Sequence, residues 1–74
     1  MKDKIGNAAG KIWSTLSYKR ITQTELKKAT GLNNKMFFLG LGWLAKEGKI
    51  EFVREDNFEK ICLTEGEKKL FKNR

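Results

Sequence analysis

The chain has 74 residues, of which 34% are charged, with a formal net charge of +7; that length supports one domain, 1–74, with a modest core. With no histidine and a single cysteine, Cys62, it has no internal disulfide, no Ser–His or Cys–His pair and no metal-ligand cluster. The nine carboxylates show no spacing that pairs them for acid–base work, so no catalytic residue, metal or cofactor is expected, and no small-molecule substrate is evident.

Lys2, Asp3 and Lys4 interrupt any early apolar run, which argues against a secretory leader. The apolar run Met36–Ala45 is shorter than the ~20 residues needed to cross a bilayer. A lone cysteine fits a reduced, cytoplasmic setting. The positive charge is uneven. Residues 1–49 carry ten basic and three acidic side chains, whereas residues 50–63 carry two and four. The cationic character therefore belongs to the first two thirds, as a phosphate-binding face or as a solvated surface.

In chain order, Ile5, Ala9, Ile12, Trp13 and Leu16 recur at helical spacing and predict a helix over 3–17, with Lys4, Lys11 and Ser14 on its surface. Gly6 and Gly10 lie one turn apart, where a neighbouring helix could approach closely. Ser17 to Arg20 is a polar break, and Arg20-Ile21-Thr22 is a candidate for a very short strand. Thr22-Gln23-Thr24-Glu25 is a capping box that opens a second helix over 23–30, closed by Gly31. Leu32 plugs the turn that follows.

The third helix, 34–47, begins at the cap Asn33 or Asn34 and ends at Gly48. Between Met36 and Ala45 it has no polar side chain. A solvent-facing helix needs only one apolar stripe, so something must cover a second face. Lys49 to Glu55 and Phe58 to Leu63 alternate around Asp56-Asn57, which predicts a hairpin over 49–63. Thr64-Glu65-Gly66-Glu67 resembles a second capping box and marks a further short helix, 65–72, carrying Leu70 and Phe71.

A helix, a helix–turn–helix and a two-stranded hairpin in this order define an α+β, mainly α, winged helix-turn-helix fold. The segments Gly6–Trp13, Leu26-Lys27-Lys28 and Leu41–Ile50, including the run Gly42-Trp43-Leu44-Ala45-Lys46-Glu47-Gly48-Lys49-Ile50, resemble the small stand-alone winged helix-turn-helix proteins of bacteria and archaea. This resemblance implies a DNA-binding or transcription-related role and a homodimer. No biochemical role comes with it beyond the analogy of fold.

In such a fold the second helix of the pair enters the major groove and reads base edges by hydrogen bonds. With Phe37, Leu41 and Leu44 facing the core, the outward stripe is Met36, Phe38, Leu39, Gly42, Trp43 and Lys46, which offers bases almost nothing. The wing tip, Arg54 to Glu59, sets three carboxylates against one arginine. Double-stranded DNA would therefore be held through phosphates, by Lys19, Arg20, Lys27, Lys28 and Lys35 with Asn33 and Asn34.

The apolar stripe is better used in self-association, with Met36, Phe38, Leu39, Gly40, Gly42 and Trp43 as the dimer interface; the alternative is that the first helix or the C-terminal segment covers it. Burying the four large side chains is worth about 6–12 kcal/mol gross, against about 4–15 kcal/mol for association. A stable dimer thus needs added area from the first helix or the C-terminal segment. Two functions follow: a DNA-binding homodimer, or a winged helix used for dimerisation alone. Cys62, in an alternating strand, reads as a small buried hydrophobe.

Overall fold

The computed structural model describes residues 2–72. Helix α1 (Lys2–Leu16) leads into β1 (Ile21–Thr22), α2 (Gln23–Thr30) and α3 (Asn34–Lys46), then β2 (Ile50–Glu55), β3 (Phe58–Leu63) and α4 (Glu65–Lys72). This is the winged helix arrangement, mainly helical, with a three-stranded antiparallel sheet in the order β1-β3-β2. The two residues of β1 turn the expected hairpin into a sheet by pairing Ile21 with Ile61 and Thr22 with Lys60.

Local chemistry sets the boundaries. The Thr22 Oγ1 accepts from the Glu25 amide at 3.2 Å, and the Thr22 amide donates to Glu25 Oε1 at 3.0 Å, completing the capping box. Gly31, at φ 71°, closes α2 in left-handed geometry, its amide donating to the Lys27 carbonyl. Of the two candidate caps for α3, Asn33 serves: its Oδ1 accepts from the Met36 amide at 2.9 Å. At the hairpin tip Asp56 and Asn57 both adopt positive φ, 52° and 70°, the requirement of a two-residue turn matched to strand twist. Helix α1 stops at Leu16 because Ser17 already turns left-handed at φ 50°.

The core lies where α1, α2, α3 and one sheet face meet. Ile12, Leu16, Leu26, Phe37, Ile61 and Leu63 are wholly or almost wholly inaccessible. Strand register explains the sheet's share. Ile50 opposite Leu63 and Phe52 opposite Ile61 share one face by register; Ile50 is buried there, whereas Phe52 stays exposed.

Helices α1 and α3 cross at Gly40. A methyl there would sit 3.0 Å from the Ala9 nitrogen, 3.0 Å from Ile12 Cδ1 and 3.1 Å from the Ala8 carbonyl carbon. The close approach expected of Gly6 and Gly10 is made instead by Ala8 and Ala9 against Gly40. Nothing lies within 4 Å of where a side chain would project from Gly6 or Gly10.

Candidate functional site

Helix α3 has two faces of opposite use. Phe37, Gly40, Leu41 and Leu44 point inward and are buried, whereas Phe38, Leu39 and Trp43 stand 48%, 37% and 40% exposed. The outward side chains are not idle against their neighbours: the Phe37 and Phe38 rings form a T-shaped pair with centroids 5.2 Å apart, and Lys46 Nζ lies 5.8 Å from the Trp43 ring centroid. The sequence set for an interface therefore divides. Phe38, Leu39, Gly42 and Trp43 are exposed. Gly40 is a correction: it faces α1 of the same chain and is closed to any partner. Met36 is half-buried and lines a separate groove beside α1.

The crossing at Gly40 leaves a groove on either side of α1. The first, of about 330 Å³, lies between α1, α3 and α4 and is lined by Gly6, Gly10, Trp13, Trp43, Glu67 and Leu70, among others. Here the Trp13 indole Nε1 donates to Glu67 Oε1 at 2.7 Å, which ties α4 to α1. Leu70, half exposed, adds an apolar rim. Phe71, expected beside it, has its side chain outside the described residues. The second groove, of about 250 Å³, is lined by Lys4, Asn7, Ala8 and Lys11 of α1 with Leu32 and Met36. By sequence alone, Lys4 and Lys11 fall simply on the surface of the helix. Their spacing with Asn7, three and four residues, was the signal that they share one side of the helix.

The residues proposed for phosphate contact are partly gathered. Lys27, Lys28, Asn33, Asn34 and Lys35 lie around the α2–α3 turn, with the Asn33 side chain occupied as a cap. Arg20 stands apart from them. Its Nη1 forms an ion pair and hydrogen bond with Glu55 of the wing, and that hydrogen bond with Arg20 is the chief reason the Glu55 carboxyl is held below its ordinary range. Lys60 approaches the same carboxylate at 3.6 Å. At the tip Arg54 sits opposite Glu59 across the strands, so the wing carries no unopposed cationic row. Lys19 is exposed.

Cys62 is buried, and its thiol donates to Glu51 Oε1 at 3.7 Å. Burial pushes the thiol up from its ordinary value, followed by the nearby Glu51 charge, so it stays protonated and unreactive. Among the described residues no three His, Cys, Asp or Glu side chains are grouped to hold a metal, and no helix is long and apolar enough to cross a membrane.

Residues 1–65 match the family described as winged helix-turn-helix domain (DUF2582). The chain belongs to this family. It is 37% identical over 59 residues to the uncharacterized protein MJ1608 of Methanocaldococcus jannaschii, covering 76% of this chain and 84% of that protein. Its fold is similar to the solution structure of protein BT2368 from Bacteroides thetaiotaomicron, with a TM-score of 0.71 and 33% identity, covering 88% of this chain and 79% of that one. Membership of a winged helix-turn-helix family suggests a DNA-binding or regulatory role. In this member the helix that would enter a groove is apolar on its outer face.

Proposed function

We propose that the protein is a DNA-binding, transcription-related winged helix protein of the cytoplasm that acts as a homodimer and has no catalytic activity. The observation that carries this reading is the division of α3. Its first turn is polar, with Asn34 and Lys35 exposed, whereas Phe38, Leu39 and Trp43 beyond it are half-exposed apolar surface. Isolated exposed apolar residues are ordinary, but a contiguous set marks an interaction site. Trp43, one turn from Leu39, also lines the groove with Trp13 and Leu70, which supplies the added area that α3 alone lacks. A second copy related by a two-fold axis is the commonest partner for such a face. Lys27, Lys28 and Lys35 then hold phosphates, with sequence reading a minor part of the affinity.

A second reading, self-association without DNA, is favoured by the wing. Its tip presents Asp56 and Glu59 with Arg54 already opposed, and phosphates repel such a surface.

Solution mass at two protein concentrations tests the dimer. A species of twice the 8.6 kDa chain mass is expected, and Trp43→Glu or Leu39→Glu is expected to give a monomer. A stable dimer from both variants would remove α3 from the interface. A titration with random duplex at low and moderate salt separates the readings: weak, salt-steep binding supports DNA contact, and no binding at low salt leaves association alone.

A further inference from the structure

The groove on the basic side of α1 has three features that bear on one ligand. Lys4, Asn7 and Lys11 line it from α1, and Ala8, Leu32 and Met36 give it an apolar floor. No carboxylate is among these six residues. Among the described residues, Lys4, Lys11 and Lys35 take part in none of the ion pairs, which join Arg20 and Lys60 to Glu55 and Lys68 to Glu65. Lys35 precedes Met36 in the first turn of α3, a turn with no acidic side chain. The amide end of a helix adds further positive potential at that place.

We infer that this groove is a docking surface for one strand of the DNA backbone, with Lys4 and Lys11 on phosphates, Asn7 between them and Lys35 adding charge from the start of α3, next to Met36. The inference rests on the DNA-binding reading above and changes where the contact is made. It shifts from the α2–α3 turn, where Lys27 and Lys28 stand, to the seam between α1 and the start of α3. The dimensions agree. Seven positions of helix separate Lys4 from Lys11, a rise of about 10 Å, and each ammonium group sits on a flexible four-carbon stem, so the two can reach phosphates one or two positions apart on a strand that winds around the duplex. Ala8, Leu32 and Met36 offer apolar contact to the deoxyribose between them. Because Gly6, Gly10 and Trp13 line the other groove, self-association on that side leaves this one open.

Binding of a labelled random-sequence duplex, followed by anisotropy as salt is raised, tests the assignment. Each phosphate contact contributes about 0.9 to the slope of log K against log salt, so Lys4→Gln with Lys11→Gln is expected to lower that slope by about 2. Between about 50 and 200 mM salt the wild type then loses roughly tenfold more affinity than this variant. Arg54→Gln with Lys69→Gln removes equal charge elsewhere and is expected to keep the wild-type slope. Equal losses from both pairs would overturn the groove in favour of diffuse attraction. An unchanged slope in K4Q/K11Q, with the loss in Lys27→Gln and Lys28→Gln instead, would overturn the groove while leaving DNA binding intact. Failure of the wild type to bind any duplex at low salt would end both.

Discussion

The two sides of α1 were built from the same helix and have opposite chemistry. On one, Gly6 and Gly10 leave a notch beside Trp13, facing Trp43 and Leu70. On the other, Lys4, Asn7 and Lys11 stand over Leu32 and Met36. Between them runs the buried line of Ala9, Ile12 and Leu16, pressed onto α3 at Gly40. The difference teaches that a helix in so small a protein can have three roles around its circumference: one stripe packs the core, one flank is suited to an apolar partner and one to an anionic partner. In the reading proposed above, association takes the outer face of α3 and DNA meets the basic flank of α1.

The comparison depends first on the crossing that holds α1 on α3. Phe37 is fully buried and Phe38, the next residue, is half exposed. Phe37→Ala should cost about 3–5 kcal/mol, a large part of the about 5–15 kcal/mol that a native domain commands, and chemical denaturation should show both flanks lost together. Phe38→Ala should shift unfolding of the separated chain by about 0.5 kcal/mol or less while weakening self-association. Equal effects of the two on unfolding would mean that α3 is not divided as described.

Gly40 gives a smaller break of the same kind. A methyl placed there meets the backbone of Ala8 and Ala9, which cannot swing aside as the Ile12 side chain can. Gly40→Ala should therefore cost about 1–3 kcal/mol and move the flanks relative to α3 without removing either. A variant as stable as the wild type would show that the helices have room to separate.

Much of this was legible in the sequence, and the failures have physical causes. Caps and turns were readable because they depend on near neighbours: Thr22 with Glu25, Asn33 with Met36, and Asp56-Asn57 at the tip. The inward choice of Phe37, Leu41 and Leu44 followed from helical spacing alone. Gly40 packs within the chain and not at an interface, and the sequence cannot tell a glycine needed for a neighbour in the same chain from one left for a partner. Within the chain the close approach is made by Ala8 and Ala9, so Gly6 and Gly10 stay open beside it. Arg20 counted as a free cation only until the wing folded back and placed Glu55 beside it. The groove of Lys4, Asn7 and Lys11 needs Leu32 and Met36 from another element, and no local pattern announces that pairing.

Gly6 and Gly10 sharpen the apolar flank. Each glycine within a helix is about 1 kcal/mol less favourable than alanine, and nothing within 4 Å opposes an added methyl at either position. Gly6→Ala and Gly10→Ala should each raise the stability of the separated chain by up to about 1 kcal/mol and weaken self-association by filling the notch. Sedimentation with denaturant unfolding at low protein concentration separates the two effects. Greater stability with unchanged association would show that no partner approaches α1 there.

The smallest expected effect concerns the cation withdrawn from the basic side. The hydrogen bond and charge of Arg20 depress the Glu55 carboxyl. A carboxylate depressed on folding contributes stability above the unfolded pKa, and loses it as pH falls through the folded one. Arg20→Gln should therefore narrow the difference in melting temperature between neutral pH and about pH 2–3. Glu25, depressed by the Thr22 amide and hydroxyl, keeps its own share in both proteins, so an acid limb should remain. Since the Arg20–Glu55 pair is solvent-exposed, its contribution should also shrink as salt rises. In the duplex titration, Arg20→Gln should leave the salt slope unchanged, because a guanidinium held by the wing has little left to offer a phosphate. A slope lower by about 1 would mean that DNA competes Arg20 away from Glu55, and that the basic surface extends past α1 to the wing.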